Sequence, residues 1–101
     1  MSEKVLHLTL KKKWFWMIVS GEKKEEYREI KPYWIKRLKE SDEAFKQFDV
    51  VCFRNGYSKS ASKVWVRCNG IRVGDAKPEW SDNWKGKVFI IELGNRMVVA
   101  F

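Results

Sequence analysis

The charged segment that follows residue 20 holds the side chains best suited to chemistry. Lys23 offers a mobile point charge that could meet a phosphate or polarise a carbonyl, and Arg28 could grip a phosphate with two parallel hydrogen bonds. Glu26 lies between them and could accept a hydrogen bond from a base edge or move a proton. The same residues also fit a structural ion pair that supports the wall of a cleft.

The local pattern predicts how these side chains are oriented. Residues 25–30 lie between a helix-breaking glycine and a proline, so we expect them to be extended rather than helical. In an extended chain Glu26 and Arg28 share one face and Tyr27 points to the other, while Glu25 and Glu29 are expected to face solvent. Tyr27 could stack on a base, although a tyrosine in a strand is more often half-buried core.

A second candidate surface comes from the middle of the chain. Residues 63–68 alternate as a strand, which places Trp65 and Arg67 on one face, and Arg54 ends the preceding predicted strand. A tryptophan beside arginines on a sheet face could act as a stacking and phosphate platform. The competing interpretation is a solvated sheet exterior in which Trp65 belongs to a small core of its own.

The remaining pattern indicates the elements that must position these residues. We expect a first strand over residues 5–10 and a helix over residues 11–20 that Gly21 ends, with a second helix beginning at Pro32. Further strands, separated by tight turns at Asn69-Gly70 and Gly94-Asn95, are predicted at Val50–Arg54, Lys63–Cys68, Val88–Leu93 and Arg96–Phe101. About six short strands with two flanking helices describe an α+β fold, with the hairpin-rich second half forming a small β-barrel.

The sequence leaves open the roles of two further segments. The Ser41-Asp42 pair either interrupts the second helix or restarts it as a short turn. Trp80 and Trp84, in a polar loop, could cover a cleft or simply close the end of the barrel. The only histidine, His7, lies in the first strand and is interpreted as structural.

Bulk composition limits the classes of partner. The 101 residues suffice for a single domain, and a hydrophobic fraction of 45% indicates a folded chain. The net charge of +8 favours polyanionic partners, although many small proteins are basic without binding nucleic acid. No apolar run reaches membrane-spanning length, and the polar N-terminus does not look like a secretory leader. We therefore expect a cytoplasmic location, no membrane partner and, with Cys52 and Cys68 in apolar strands, free thiols.

The charged segment also resembles a family motif. Gly21, Lys23, Glu26 and Arg28 have the Gly-x-Lys-x-x-Glu-x-Arg spacing that marks ASCH domains, and the motif follows a strand and an aromatic-rich helix, as it does in that family. The resemblance spans nearly the whole chain, residues 1–101. It implies a PUA-like β-barrel with a basic cleft beside the motif, and activities related to RNA.

The resemblance leaves several functions open. The first is a module that binds RNA or a nucleotide-like ligand through Lys23, Glu26, Tyr27 and Arg28, with DNA as an alternative partner. The second is a metal-independent hydrolase of modified nucleosides, with Lys23 and Glu26 as its catalytic residues. A ribonuclease is a variant of this alternative, in which Lys23, Tyr27 and Arg28 could support cleavage of RNA without a metal. Family members that hydrolyse nucleosides have a small hydroxyl residue where this chain has Glu26, which departs from their pattern. The third is a domain whose basic surface meets an acidic protein. No cofactor and no metal site are expected.

Overall fold

Five strands of the chain form one mixed sheet. The computed structural model describes residues 3–82 and 84–101. Its elements in chain order are β1 (Val5–Leu10), α1 (Lys12–Val19), β2 (Glu25–Arg28), α2 (Pro32–Leu38), β3 (Lys39–Ser41), β4 (Ala44–Phe45), β5 (Val50–Asn55), β6 (Lys63–Asp75), a 3-10 turn (Pro78–Trp80) and β7 (Lys87–Ala100). The hydrogen-bonded order of the sheet is β1-β5-β6-β7-β2. Strands β1 and β5 are parallel, the other neighbours are antiparallel, and β3 with β4 forms a separate hairpin.

The sheet curls into a half-barrel with the two helices packed on it. This confirms the predicted α+β class with two helices. The predicted barrel is only partly realised, because β1 and β2 are the edge strands of a linear strand order and do not pair with each other. The half-barrel is compatible with a small barrel-like fold and leaves an opening between its two edges.

The main core lies on the inner face of the curled sheet. Alternation in β1 buries Leu6 and Leu8, and the strand register sets them beside Val51 and Phe53 of β5. Helix α1 covers this face, and its Phe15 is completely buried. A smaller cluster, the minor core, is formed by Tyr27, Val88 and Ile90 at the other end of the sheet.

The first helix agrees closely with its prediction. It spans Lys12–Val19, within the expected residues 11–20. Gly21 has a positive φ of 84°, and its amide donates to the carbonyl of Ile18 at 3.1 Å, which satisfies a carbonyl that the last helical turn leaves open. The chain then turns directly into the charged segment that leads to β2.

The predicted tight turns at Asn69-Gly70 and Gly94-Asn95 are wrong. Strands β6 and β7 pass through these positions as one long antiparallel ribbon, and its register shifts between Trp65 and Gly70. Gly70 has a φ of 123° within β6. The glycines therefore bend the ribbon through bulges instead of reversing the chain. One half of the ribbon pairs with β5 and the other with β2, which is what curls the sheet.

The second helix begins at Pro32, as predicted, and ends at Leu38. The Ser41-Asp42 pair is not a helical restart, because it belongs to the β3–β4 hairpin. Both cysteines are free thiols, and burial raises the pKa of each. No helix among residues 3–82 and 84–101 has the length and apolar character needed to cross a lipid bilayer.

Candidate functional site

A cleft of about 530 Å³ lies between the two edge strands of the sheet, β1 and β2. Its walls come from residues 7–11, from Lys23 and residues 26–29, from α2 and from the loop that follows the 3-10 turn. The volume is within the range of small-ligand sites. The opening left by the half-barrel is therefore where a ligand can reach the charged motif.

Lys23 is buried in the wall of this cleft and is only 2% exposed. Its ammonium donates to the carbonyl of Trp80 at 2.7 Å and pairs with Oε1 of Glu26 at 2.8 Å. The same Nζ lies 4.9 Å from the ring centroids of both Trp14 and Tyr27, within the range of cation–π attraction. Burial lowers the pKa of the Lys23 ammonium, and the Glu26 carboxylate opposes that shift without cancelling it.

Glu26 is the centre of a buried ion triad formed with Lys23 and Arg28. It is 4% exposed, and one carboxylate oxygen faces Lys23 while the other accepts from Nη1 of Arg28. Nη1 of Arg28 also donates to the carbonyl of Tyr27 at 2.7 Å, and its Nη2 reaches across the cleft to the carbonyl of Thr9 at 3.3 Å. Two cations share one carboxylate, so the triad keeps a net positive charge. Glu26 and Arg28 share a face of β2, as predicted.

Tyr27 projects to the other side of β2, into the minor core. Its hydroxyl donates to Oε1 of Glu25 at 2.7 Å and accepts from the amide of Lys77 at 3.1 Å. Burial and the bond to Glu25 raise the pKa of Tyr27. The expectation that Glu25 faces solvent is wrong, because this bond and an ion pair with Arg72 hold a side chain that is only 12% exposed.

Helix α2 supplies a rim of aromatic rings and guanidinium groups. The Arg28 guanidinium lies 5.1 Å from the ring centroid of Trp34, and that of Arg37 lies 5.3 Å from the same ring and 5.8 Å from Tyr33. Arg37 also donates to the carbonyl of His7 at 3.1 Å. Tyr33 is 62% exposed, so a flat ligand in the cleft can reach one face of its ring.

The outer edge of β1 presents main-chain groups to the cleft. The carbonyls of Lys4 and Leu10 accept from amides beside β5, whereas those of His7 and Thr9 accept from the two arginines on the cleft side. The N–H and C=O of one strand residue point the same way, so the amides of His7 and Thr9 face the cleft too. The cleft thus combines main-chain donors with the buried ion triad.

The loop after the 3-10 turn closes one end of the cleft. Trp80 packs against the minor core while its carbonyl accepts from Lys23, and Trp84 packs against the same core and lines the cleft. An ion pair of 3.2 Å between Lys11 and Asp82 joins the loop to the end of β1, and the Lys11 hydrogen bond lowers the pKa of the Asp82 carboxyl. The two tryptophans therefore cover the cleft and also complete the core.

The second candidate surface lies outside the cleft. Trp65 and Arg67 occupy the face of β6 that its buried valines leave free, and Arg67 pairs with Glu3 at 2.9 Å. Arg54 donates to the carbonyl of Ser58, and its buried Nε has no hydrogen-bond partner within the described part of the chain. The structure thus brings the four motif-segment residues together and keeps these three apart from them. The platform stays a prediction.

Several residues of the cleft were not expected from the sequence. Trp14 of α1 and Trp34 of α2 are not among the site residues that the sequence predicts, yet their rings contact the Lys23 and Arg28 cations of the triad. His7 was interpreted as structural, and its carbonyl lies on the cleft edge. The sequence feature that could have predicted the rim on α2 is the spacing of Trp34 and Arg37, which places an aromatic ring and a guanidinium one helical turn apart just after the motif.

Neither known proteins nor a cluster of metal-binding side chains defines the chemistry of the cleft. No match was found to a protein-family model, to a curated protein or to a solved structure. No group of three or more His, Cys, Asp or Glu side chains within residues 3–82 and 84–101 is arranged to hold a metal ion. The chemistry open to the cleft therefore follows from its own residues.

Proposed function

We propose that the cleft binds one nucleotide of a single-stranded RNA, or a nucleotide-like ligand. The observation that carries this is the buried ion triad, with its net positive charge, in the wall of an aromatic-lined opening between β1 and β2. Aromatic rings suit the flat face of a base, and guanidinium groups suit its phosphate. The same residues carry the resemblance to ASCH domains, and we propose membership of that family on this ground.

The energetics of the triad support a role beyond holding the fold together. Removing charges from water costs several kcal/mol per ion, and a buried ion pair often stabilises a protein no more than apolar residues of the same volume. Lys23 and Glu26 are both almost fully buried, so they incur that cost. A lysine whose pKa is lowered by burial inside a cleft is also a recognised sign of a functional site.

The engagement of Glu26 favours binding over catalysis. Both of its carboxylate oxygens already hold cations, so neither is free to accept a proton from water. The Lys23 ammonium is likewise held by a carboxylate and a carbonyl. The hydrolase alternative requires this cluster to open first, whereas binding uses it as it stands.

The test is a fluorescence-anisotropy titration of labelled single-stranded RNA at low and moderate salt. We choose Arg37→Gln and Tyr33→Ala, because both side chains line the cleft from α2 without being part of the buried ion triad. Each is expected to weaken binding by about tenfold, the loss of about 1.4 kcal/mol that one stacked base or charge-assisted contact provides. A gel of the same samples reports whether the RNA stays intact.

Arg67→Gln is the matched control, because it removes the same charge from a surface outside the cleft. Binding that falls in Arg67→Gln and not in Arg37→Gln would transfer the function to the platform on β6. Binding that no variant changes would refute the proposal for both surfaces, and fragments on the gel would favour the ribonuclease. Parallel titrations with single-stranded DNA and with a polyglutamate peptide separate the remaining partners.

A further inference from the structure

A second cavity, of about 400 Å³, adjoins the cleft and shares Glu29 and Trp84 with it. The rest of its lining comes from Ile30 and Lys31 ahead of α2 and, around the start of β7, from Lys85, Lys87 and Val88. We call this second cavity the lysine groove, because Lys31, Lys85 and Lys87 line it. The only acidic residue in its lining is the shared Glu29, so the groove carries a net positive charge.

The lysines of this groove can exchange their present partners for a phosphate. Lys31 pairs with Glu29 at 2.9 Å and Lys87 with Asp75 at 2.9 Å, and all four side chains are more than half exposed. Exposed pairs of this kind contribute about 0–1 kcal/mol, so a polyanion can replace them at little cost. Lys85 makes no ion pair with any residue that the structure describes.

Trp84 stands at the junction of the two cavities. Its ring is partly buried against the minor core, which anchors it, and it lines both the cleft and the lysine groove. An anchored ring loses little conformational entropy when a base stacks on it. The order along the surface is thus a base-sized aromatic cleft, a tryptophan and a row of ammonium groups.

We propose that the ligand is a single-stranded polynucleotide longer than one nucleotide, and this rests on the function proposed above. One nucleotide occupies the cleft, and the chain continues past Trp84 so that its neighbouring phosphates lie along Lys31, Lys85 and Lys87. A compact ligand such as a mononucleotide fills the cleft and leaves the groove unused. The lysine groove therefore sets a requirement for length, which the cleft alone does not.

The first experiment measures affinity as a function of length. Labelled RNAs of randomised sequence with one, two, four and eight nucleotides are titrated against the unmodified protein. A tetranucleotide can place any one of its nucleotides in the cleft, and this choice alone raises its affinity by a statistical factor. We expect the affinity to rise from one to four nucleotides by more than that factor. A tetranucleotide that gains only this statistical factor would overturn the proposal, while leaving the cleft as a mononucleotide site.

The second experiment removes two groove lysines with Lys31→Gln/Lys85→Gln. Each lost phosphate contact should make the fall of log affinity with log salt concentration shallower by about 0.7. At about 0.1 M salt, each lost contact should weaken tetranucleotide binding roughly fivefold. Binding of the mononucleotide should not change. The matched control, Lys4→Gln/Lys46→Gln, has the same net charge but alters lysines that line neither cavity.

The outcomes separate the two proposals. Equal losses in the groove variant and in the control would mean a general charge effect and would overturn the length requirement. Two other results would do the same: a nucleoside triphosphate that binds as tightly as the tetranucleotide, or a polyglutamate peptide that loses affinity in the groove variant. If no RNA of any length binds the unmodified protein, the function proposed for the cleft fails instead.

Discussion

Lys23, Glu26 and Arg28 form an arrangement in which one buried carboxylate serves two cations. The sequence predicts that Glu26 and Arg28 face the same way, because they are two residues apart in a strand. The position of Lys23 is not set by that rule, since it precedes β2. Its ammonium reaches Glu26 because the chain turns at Gly21 and because Trp14 and Trp80 enclose it.

The triad gives a stability prediction at this scale. Glu26→Ala leaves the buried Lys23 ammonium and the partly buried Arg28 guanidinium without their carboxylate and should lower the free energy of unfolding by about 3–5 kcal/mol. The triple variant Lys23→Met/Glu26→Leu/Arg28→Met removes all three charges and should recover most of that loss, because no buried charge is left without a partner. Only the carbonyls that accepted hydrogen bonds from Lys23 and Arg28 lose their donors. Urea denaturation followed by tryptophan fluorescence measures both.

The same triple variant separates a structural role from a functional one. It should remain folded and lose RNA binding, since the charges that the cleft presents are gone. A triple variant as unstable as Glu26→Ala would contradict this and would mean that the ions hold the fold together.

At the scale of elements, the bent β6–β7 ribbon determines the shape of the sheet. Both Asn-Gly and Gly-Asn dipeptides carry a strong local turn signal, and two turns there would divide the ribbon into short hairpins. The observed strands continue because each half of the ribbon gains a further partner, β5 on one side and β2 on the other. Tertiary pairing therefore outweighs the local preference and converts both sites into bulges.

Gly70 gives the prediction for this element. Its φ of 123° is strained for any residue with a Cβ, so Gly70→Ala should lower the free energy of unfolding by about 1–2 kcal/mol, although no atom would obstruct the added methyl group. Gly94→Ala is the comparison with a different cause, because Gly94 lacks a positive φ but a Cβ there would meet the Asn69 side chain at 2.9 Å and the Cβ of Arg67 at 3.2 Å. A Gly70→Ala variant as stable as the unmodified protein would contradict the argument from backbone strain. Urea denaturation again gives the values.

For the whole molecule, the decisive feature is that the half-barrel is joined across its opening by side chains. Arg28 and Arg37 reach carbonyls of β1, and Lys11 pairs with Asp82 of the covering loop. No β1–β2 backbone pairing closes the sheet within the described ranges. The opening is therefore the part of the molecule where a ligand can add contacts that the fold itself does not make.

Amide hydrogen exchange tests this directly. Saturating single-stranded RNA should slow exchange in residues 7–11 and 26–29, which line the two edges of the cleft, because a bound ligand shields amides there and holds the edges together. Residues 63–68 belong to β6, the central strand of the sheet, do not line the cleft and should show no change. Protection concentrated in β6 would instead indicate the platform of Trp65 and Arg67.

Part of the fold and of the site could be predicted because the responsible signals are local. Alternation in residues 5–10 correctly predicts β1. Gly21 and Pro32 correctly predict where α1 ends and where α2 begins. The β3–β4 hairpin was not predicted, since Ser41-Asp42 reads equally well as a helix end. The burial of Glu25 was not predicted either, because it depends on Arg72, a residue far along the chain.

By itself, the sequence determines the α+β composition, the positive charge and the shared face of Glu26 and Arg28. These follow from periodicities of two and 3.6 residues and from counting charges, which need no knowledge of distant contacts. Only the tertiary structure decides that the sheet stays open, that Lys23 is buried under Trp14 and Trp80, and that Trp84 separates the cleft from a lysine groove. Those features depend on which strands pair and how the ribbon bends, and such long-range contacts produce no periodic pattern in the sequence.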